Sequence, residues 1–184
     1  MSGKSQRLPL TRILSNSSKG QIWVETMVYT LIAFALIGLV LAFVKPKIQE
    51  TQDKGIIEQS VRILENIDLI IRTLGGPGNQ RVLEVGLNKG TLFIDGVNDI
   101  IYFKMESRYL YSQPGEDVNV GGITANTEKK GNINEVTLIK NYSGVYNITL
   151  QNIDQLKELT KAATPYKIVI SDKGGSIINM DVTN

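Results

Sequence analysis

Glu25 is a carboxylate inside an otherwise uncharged apolar stretch. From Met27 to Val44 the only polar side chains are Tyr29 and Thr30, and apolar residues also precede Glu25. A charged side chain at the centre of a bilayer costs about 2.5–3.5 kcal/mol, and less near the edge. The position of Glu25 therefore predicts either a cationic partner or a place in the first turn of a helix, where the helix dipole favours an acid.

Most enzyme chemistry is excluded by composition, because the chain has neither cysteine nor histidine. These absences remove thiolate nucleophiles, Ser-His-Asp machinery and His- or Cys-ligated zinc. Four carboxylates could attract a hard cation, but they lack the EF-hand spacing and are more typical of solvated turns. They are Asp95, Asp99, Glu116 and Asp117. The sequence therefore predicts no catalytic residue, no cofactor and no metal site.

The apolar stretch around Glu25 is long enough to cross a membrane. Residues 21–44 number 24, whereas a helix needs about 20 to span a hydrocarbon core of about 30 Å. Trp23 and Tyr29 near one end, and Lys45 and Lys47 at the other, are typical of residues at the two interfaces. A buried core helix this apolar would need burial on every side, and the chain is too short to provide it.

Charge along the chain predicts an orientation for this segment. Residues 1–20 carry four basic side chains and no acid, so the total of +2 leaves −2 for the remainder. The positive-inside rule then predicts a cytoplasmic N-terminus. The balanced remainder shows no basic stripe, which argues against a nucleic-acid partner.

A specific junction precedes the apolar stretch. Lys19-Gly20 is followed by Gln21, and Glu25 is the fifth residue counted from Gln21. This pattern resembles the class III leader of type IV prepilins, in particular archaeal pilins and pilin-like proteins. The resemblance covers roughly residues 19–48.

The resemblance implies how the chain is processed and what Glu25 does. In that family a membrane-embedded prepilin peptidase cuts after the glycine, which here lies between Gly20 and Gln21. The mature chain would keep the apolar helix and have 184 − 20 = 164 residues. The family also implies a partner for Glu25, the terminal amine that cleavage creates on a neighbouring pilin subunit.

Residues 45–75 are predicted to form an amphipathic helix. Apolar residues recur at helical spacing between charged ones, and the run stops at Gly75-Gly76-Pro77-Gly78. Pro46 is expected to kink or break the helix, which would otherwise continue from residues 21–44.

The remainder, residues 76–184, is predicted to be a β-rich headpiece. Asn88-Lys89-Gly90 and Asp172-Lys173-Gly174-Gly175 predict hairpin turns. A short helix is expected within 153–163 and a polar loop over 113–131. The predicted strands are 81–87, 91–95, 100–105, 135–140, 146–151, 166–170 and 176–181. The fold class is therefore α+β, with a long N-terminal helix covering one face of an antiparallel sheet.

Two positions in the headpiece match the N-glycosylation pattern. They are Asn141, in Asn141-Tyr142-Ser143, and Asn147, in Asn147-Ile148-Thr149. Both lie in the part predicted to be extracytoplasmic. The short pattern also arises by chance, so modification at each remains a prediction.

Taken together, these features favour a structural subunit of a surface filament or a pilus-like secretion machine, anchored by one pass in the cell membrane. Its expected partners are membrane lipid, a prepilin peptidase and like or related pilin subunits. The alternative is a single-pass, membrane-anchored extracytoplasmic binding or sensing module. That alternative explains the helix but treats Lys19-Gly20 and Glu25 as coincidence. A tethered enzyme has no visible catalytic constellation.

Overall fold

The computed structural model describes residues 17–183, and for residues 17–21 it describes the backbone alone. Most of the predicted basic leader, residues 1–16, therefore lies outside the described residues. The chain forms two compact units that divide between Lys45 and Pro46. One helix, α1 (Ser17–Thr73), contributes residues to both units and is not broken at Pro46.

In the second unit, α1 is amphipathic as predicted. Ile57, Leu64 and Ile67 are fully buried, at the i, i+7 and i+10 spacing of one helical face. The helix ends at Thr73, two residues before Gly75, whose φ of +83° is typical of the glycine that terminates helices. The stop signal in the sequence is thereby confirmed.

The β-rich part consists of two sheets rather than the single sheet expected from the sequence. Ten strands occur within residues 17–183: β1 (Gln80–Val85), β2 (Thr91–Asp95), β3 (Ile100–Ser107), β4 (Val118–Val120), β5 (Ile123–Lys130), β6 (Ile133–Asn141), β7 (Asn147–Leu150), β8 (Leu156–Leu159), β9 (Tyr166–Gly174) and β10 (Ile177–Thr183). The four-stranded sheet has the order β1-β9-β10-β7, and the six-stranded sheet has the order β4-β5-β6-β3-β2-β8. Pairing is antiparallel except between β7 and β10, which run parallel.

Both sheets and α1 contribute to one hydrophobic core. In β3, Ile101, Phe103 and Met105 are buried, whereas the residues between them are more exposed. This alternation is the pattern of a sheet with one face packed and one face wet. Ile168 and Ile170 of β9 belong to the same buried cluster as the α1 residues.

The first predicted hairpin is wrong. The strand at Gln80–Val85 pairs with β9 in one sheet, whereas Thr91–Asp95 pairs with β3 and β8 in the other. Asn88-Lys89-Gly90 therefore connects two sheets rather than two neighbouring strands. By contrast, β9 and β10 pair as the predicted second hairpin around Asp172-Lys173-Gly174-Gly175.

Two other predictions from local sequence are also wrong. The expected helix within 153–163 contains β8, which pairs with the edge of β2 and buries Leu159. The expected polar loop over 113–131 contains β4 and β5, and Ile123, Ala125 and Thr127 alternate inward along β5. Pairing with a neighbouring strand outweighed weak local propensity in both segments.

Candidate functional site

The first unit exposes a continuous apolar surface along α1. Every side chain from Ile22 to Val44, called the apolar segment below, is exposed. The segment is long and apolar enough to cross a membrane, and none of it is buried. Soluble proteins rarely expose contiguous apolar patches above a few hundred Å². The apolar segment is therefore compatible with a membrane anchor.

Glu25 is the only charged residue of the apolar segment. Its Oε1 accepts a hydrogen bond from Tyr29 Oη over 3.3 Å. The hydroxyls of Thr26 and Thr30 donate instead to backbone carbonyls four residues earlier in α1. The threonine hydroxyls are thus satisfied by the helix itself, whereas the Glu25 carboxylate keeps acceptor capacity for a further donor.

Lys19, Gly20 and Gln21, the predicted cleavage residues, lie near the start of α1, which begins at Ser17. Their side chains are outside the described part of the structure. The backbone around the predicted scissile bond is helical in the intact chain. The structure therefore brings this bond and Glu25 into the same stretch of helix, separated by about one turn.

The two predicted glycosylation positions differ in accessibility. Asn141, the last residue of β6, and Ser143 are both exposed, and Asn141 Oδ1 accepts from Ser143 N over 2.8 Å. Asn147 is exposed at the start of β7, but Thr149 is buried and its Oγ1 donates to Asn179 Oδ1 over 3.1 Å. In the folded chain, the asparagine and the Ser or Thr two residues later are both exposed only in the pattern that begins at Asn141.

Of the four carboxylates considered as cation ligands, Asp95 and Asp99 are engaged in backbone contacts, and Asp117 Oδ1 accepts from Asn126 Nδ2 over 2.7 Å. Asp95 Oδ1 accepts from the amides of Val97 and Asn98, and Asp99 Oδ1 accepts from the Ile148 amide over 2.8 Å. No group of three or more His, Cys, Asp or Glu residues that could hold a metal occurs within residues 17–183. Asp95 and Asp99 shape the turn between β2 and β3.

Sequence reasoning missed two aspartates on the inward face of α1, the buried Asp53 and the half-buried Asp68. Asp53 pairs with Lys89 Nζ over 2.5 Å, and its other oxygen accepts from the Arg108 amide over 2.8 Å. Asp68 pairs with the buried Lys140 Nζ over 3.1 Å. Both aspartates lie four residues from a buried apolar residue of α1, a spacing that was visible in the sequence. Asp68 attaches the helix to β6 of the six-stranded sheet, whereas Asp53 attaches it to the loop before β2 and to the residue that follows β3.

Tyr142 lies beside the second of these ion pairs. Burial first, and then the charge of Asp68, raise the pKa of Tyr142 far above its usual value. Tyr142 Oη and Asp68 Oδ1 are both buried and have no hydrogen-bond partner among the described residues. Tyr142 therefore stays protonated at any physiological pH and serves in packing, in edge-to-face contact with Tyr146.

Comparison of the chain with protein families, with curated proteins and with solved structures gives no match. The functional argument therefore depends on the residues described above. Among them, Glu25 is the charged group whose surroundings are least explained by the fold of this chain alone.

Proposed function

We propose that this chain is a type IV pilin-like structural subunit of a surface filament or pilus-like secretion machine. One observation carries the proposal: a fully exposed apolar helix contains a single carboxylate. Lipid satisfies the apolar side chains of that helix but leaves an ionised carboxylate without water. A neighbouring apolar helix that carries a cationic group would pack against the apolar side chains and also pair with the carboxylate.

In the proposed arrangement the apolar segment has two roles, first as a membrane anchor and then as an assembly helix. At about 1.5 Å per residue its 23 positions, 22 to 44, extend about 35 Å, enough for a hydrocarbon core of about 30 Å. Before assembly it anchors the subunit in the cell membrane. After a prepilin peptidase cuts between Gly20 and Gln21, Glu25 pairs with the new terminal ammonium of a like or related subunit.

In this proposal the basic leader stays cytoplasmic and residues 76–184 face outward. The proposal assigns the chain no catalytic residue and no cofactor, because its work is assembly. The charge distribution supports this orientation through the positive-inside rule. Lys45 and Lys47 then lie at the outer interface, where long basic side chains extend toward the headgroups.

A membrane-anchored binding or sensing module is the second candidate. An open groove of about 430 Å³ favours it, with lining residues that include Asp53, Lys89 and Arg108. However, Asp53 is already paired with Lys89 and with the Arg108 amide. The charges of Asp53 and Lys89 are therefore already satisfied within the chain, and Glu25 has no role in this alternative.

The proposal is tested by Glu25→Gln in the full-length chain, in cells that contain a prepilin peptidase. The substitution keeps the side-chain volume and removes the charge. We expect normal membrane insertion, because an amide is easier to place in lipid. We expect the ratio of polymerised to total membrane protein to fall at least about tenfold, since truncating one partner of a desolvated charge pair costs about 2–5 kcal/mol.

Glu50→Gln is the matched control, because Glu50 is a carboxylate of the same helix outside the apolar segment and pairs with Lys47. It should assemble normally. Intact mass should show in all variants a mature chain that begins at Gln21. An unchanged ratio for Glu25→Gln with normal cleavage would favour the anchored binding module.

A further inference from the structure

We propose that Tyr29 is a positioning residue for Glu25 in subunit assembly, an inference that rests on the proposed function. Tyr29 Oη donates to Glu25 Oε1 over 3.3 Å, a contact within one turn of the exposed apolar segment. The contact joins the one charged group of that segment to one of its few hydroxyls.

The contact follows from helix geometry. Residues four apart lie one above the other on a helix, and side chains lean toward the N-terminus. The long tyrosine side chain at position 29 therefore extends back toward the carboxylate at position 25. Thr26 and Thr30 are also near Glu25 in sequence, but their hydroxyls already donate to backbone carbonyls. Tyr29 is the described side chain that donates to Glu25.

Lipid gives this contact its role. In water a carboxylate finds donors everywhere, whereas in hydrocarbon it depends on groups of the protein. Before assembly, Tyr29 supplies one hydrogen-bond donor to Glu25 in the membrane. The same hydrogen bond restricts the rotamers of Glu25. A carboxylate has two oxygens that accept, so Oε2 stays open to a neighbour's ammonium. Tyr29 thus presents Glu25 in a fixed orientation.

If residue 29 served only in packing, its ring would matter and its hydroxyl would not. The ring of tyrosine fills lipid-facing space as phenylalanine does, and only the hydroxyl differs. An effect that follows the hydroxyl and requires the Glu25 carboxylate therefore identifies positioning.

The test is a double-mutant cycle in the full-length chain, with Tyr29→Phe, Glu25→Gln and the pair. Polymerised and total membrane protein are measured for each, with cleavage checked by mass. Tyr29→Phe should lower the assembly ratio about threefold, and up to about tenfold, as expected for a single hydrogen bond between side chains in a membrane. In the Glu25→Gln background the same change should have almost no effect.

Thr30→Val is the matched control, because it removes a neighbouring hydroxyl that bonds to the helix backbone. Its assembly ratio should stay normal. If Glu25→Gln lowers assembly but Tyr29→Phe does not, positioning by Tyr29 is refuted and the proposed function stands. Equal losses from Tyr29→Phe in both backgrounds would show that the hydroxyl acts independently of the Glu25 charge, and would also refute positioning. Normal assembly of Glu25→Gln would refute the proposed function and, with it, the role of Tyr29.

Discussion

Gly90 occupies a position that only glycine fits. Its φ is +83°, and a Cβ there would lie 2.4 Å from Phe103 Cζ, 2.8 Å from Met105 Cβ and 2.9 Å from the Lys104 carbonyl oxygen. The left-handed conformation costs a residue with a Cβ about 1–2 kcal/mol, and overpacking adds about 1–3 kcal/mol. Gly90→Ala should therefore lower the free energy of unfolding by about 3 kcal/mol, measured by urea denaturation.

Gly131 provides a control that separates these two costs. Its φ is +64°, but a Cβ there would meet nothing within 4 Å. Gly131→Ala should cost only about 1 kcal/mol, from the backbone alone. Equal effects at Gly90 and Gly131 would show that the contacts with β3 relax without cost.

Asn141 is the position at which we predict glycosylation of the folded chain. Asn141 and Ser143 are both exposed, whereas the hydroxyl of Thr149 beside Asn147 is buried and bonded. In cells that glycosylate this protein, Asn141→Gln should remove a glycan mass, and Asn147→Gln should leave it unchanged. Loss of the glycan only in Asn147→Gln would show that modification precedes folding of β7.

At the scale of elements, α1 is joined to the six-stranded sheet by an ion pair between the half-buried Asp68 and the buried Lys140. Lys140 Nζ lies 3.1 Å from Asp68 Oδ2 and donates to the Gly122 carbonyl, and its side chain is 7% exposed. Removing one partner leaves a buried charge uncompensated, which typically costs about 3–5 kcal/mol. Asp68→Asn should therefore lower the free energy of unfolding by about 3 kcal/mol, measured by chemical denaturation.

The pair between Lys167 and Glu84 provides the contrast, because both side chains are mostly exposed and 4.0 Å apart. Exposed pairs contribute about 0–1 kcal/mol, so Glu84→Gln should change stability little. A loss for Asp68→Asn no larger than that of Glu84→Gln would mean that water reaches Lys140.

The sequence predicted those elements whose signals are local. The amphipathic part of α1 and the β9–β10 hairpin were predicted because each is encoded by periodicity and turn residues within a short stretch. β1 was misassigned to a hairpin with β2 because its true partner, β9, lies more than 80 residues further along the chain. The membership of a strand in a sheet is a tertiary property that local pattern does not carry.

The same reasoning applies to the candidate site. Glu25 was identified from sequence because a charge within an apolar run is visible without a structure. Its spacing from Tyr29 was also visible, but the hydrogen bond depends on side-chain direction in the helix. The burial of Thr149 required the register of β7 against β10, which pairs it with Asn179.

For the whole molecule, the division between Lys45 and Pro46 separates an apolar helix from a unit with its own core. The described core cluster begins at Ile57 and draws nothing from the apolar segment. A fragment of residues 46–184 should therefore unfold cooperatively on heating and give dispersed amide resonances. A broad, non-cooperative transition would mean that this unit needs the apolar segment for its stability.

The pairing of β1 with β9 sets an order of events in time. β1 is an edge strand that pairs only with β9. β7, at the other edge of the same sheet, pairs only with β10. The four-stranded sheet therefore cannot assemble until β9 and β10 have left the ribosome. Until then the Ile-rich face of α1 lacks the cover that Ile168 and Ile170 of β9 provide in the core. Truncation within β9 should therefore produce aggregates rather than a smaller folded unit.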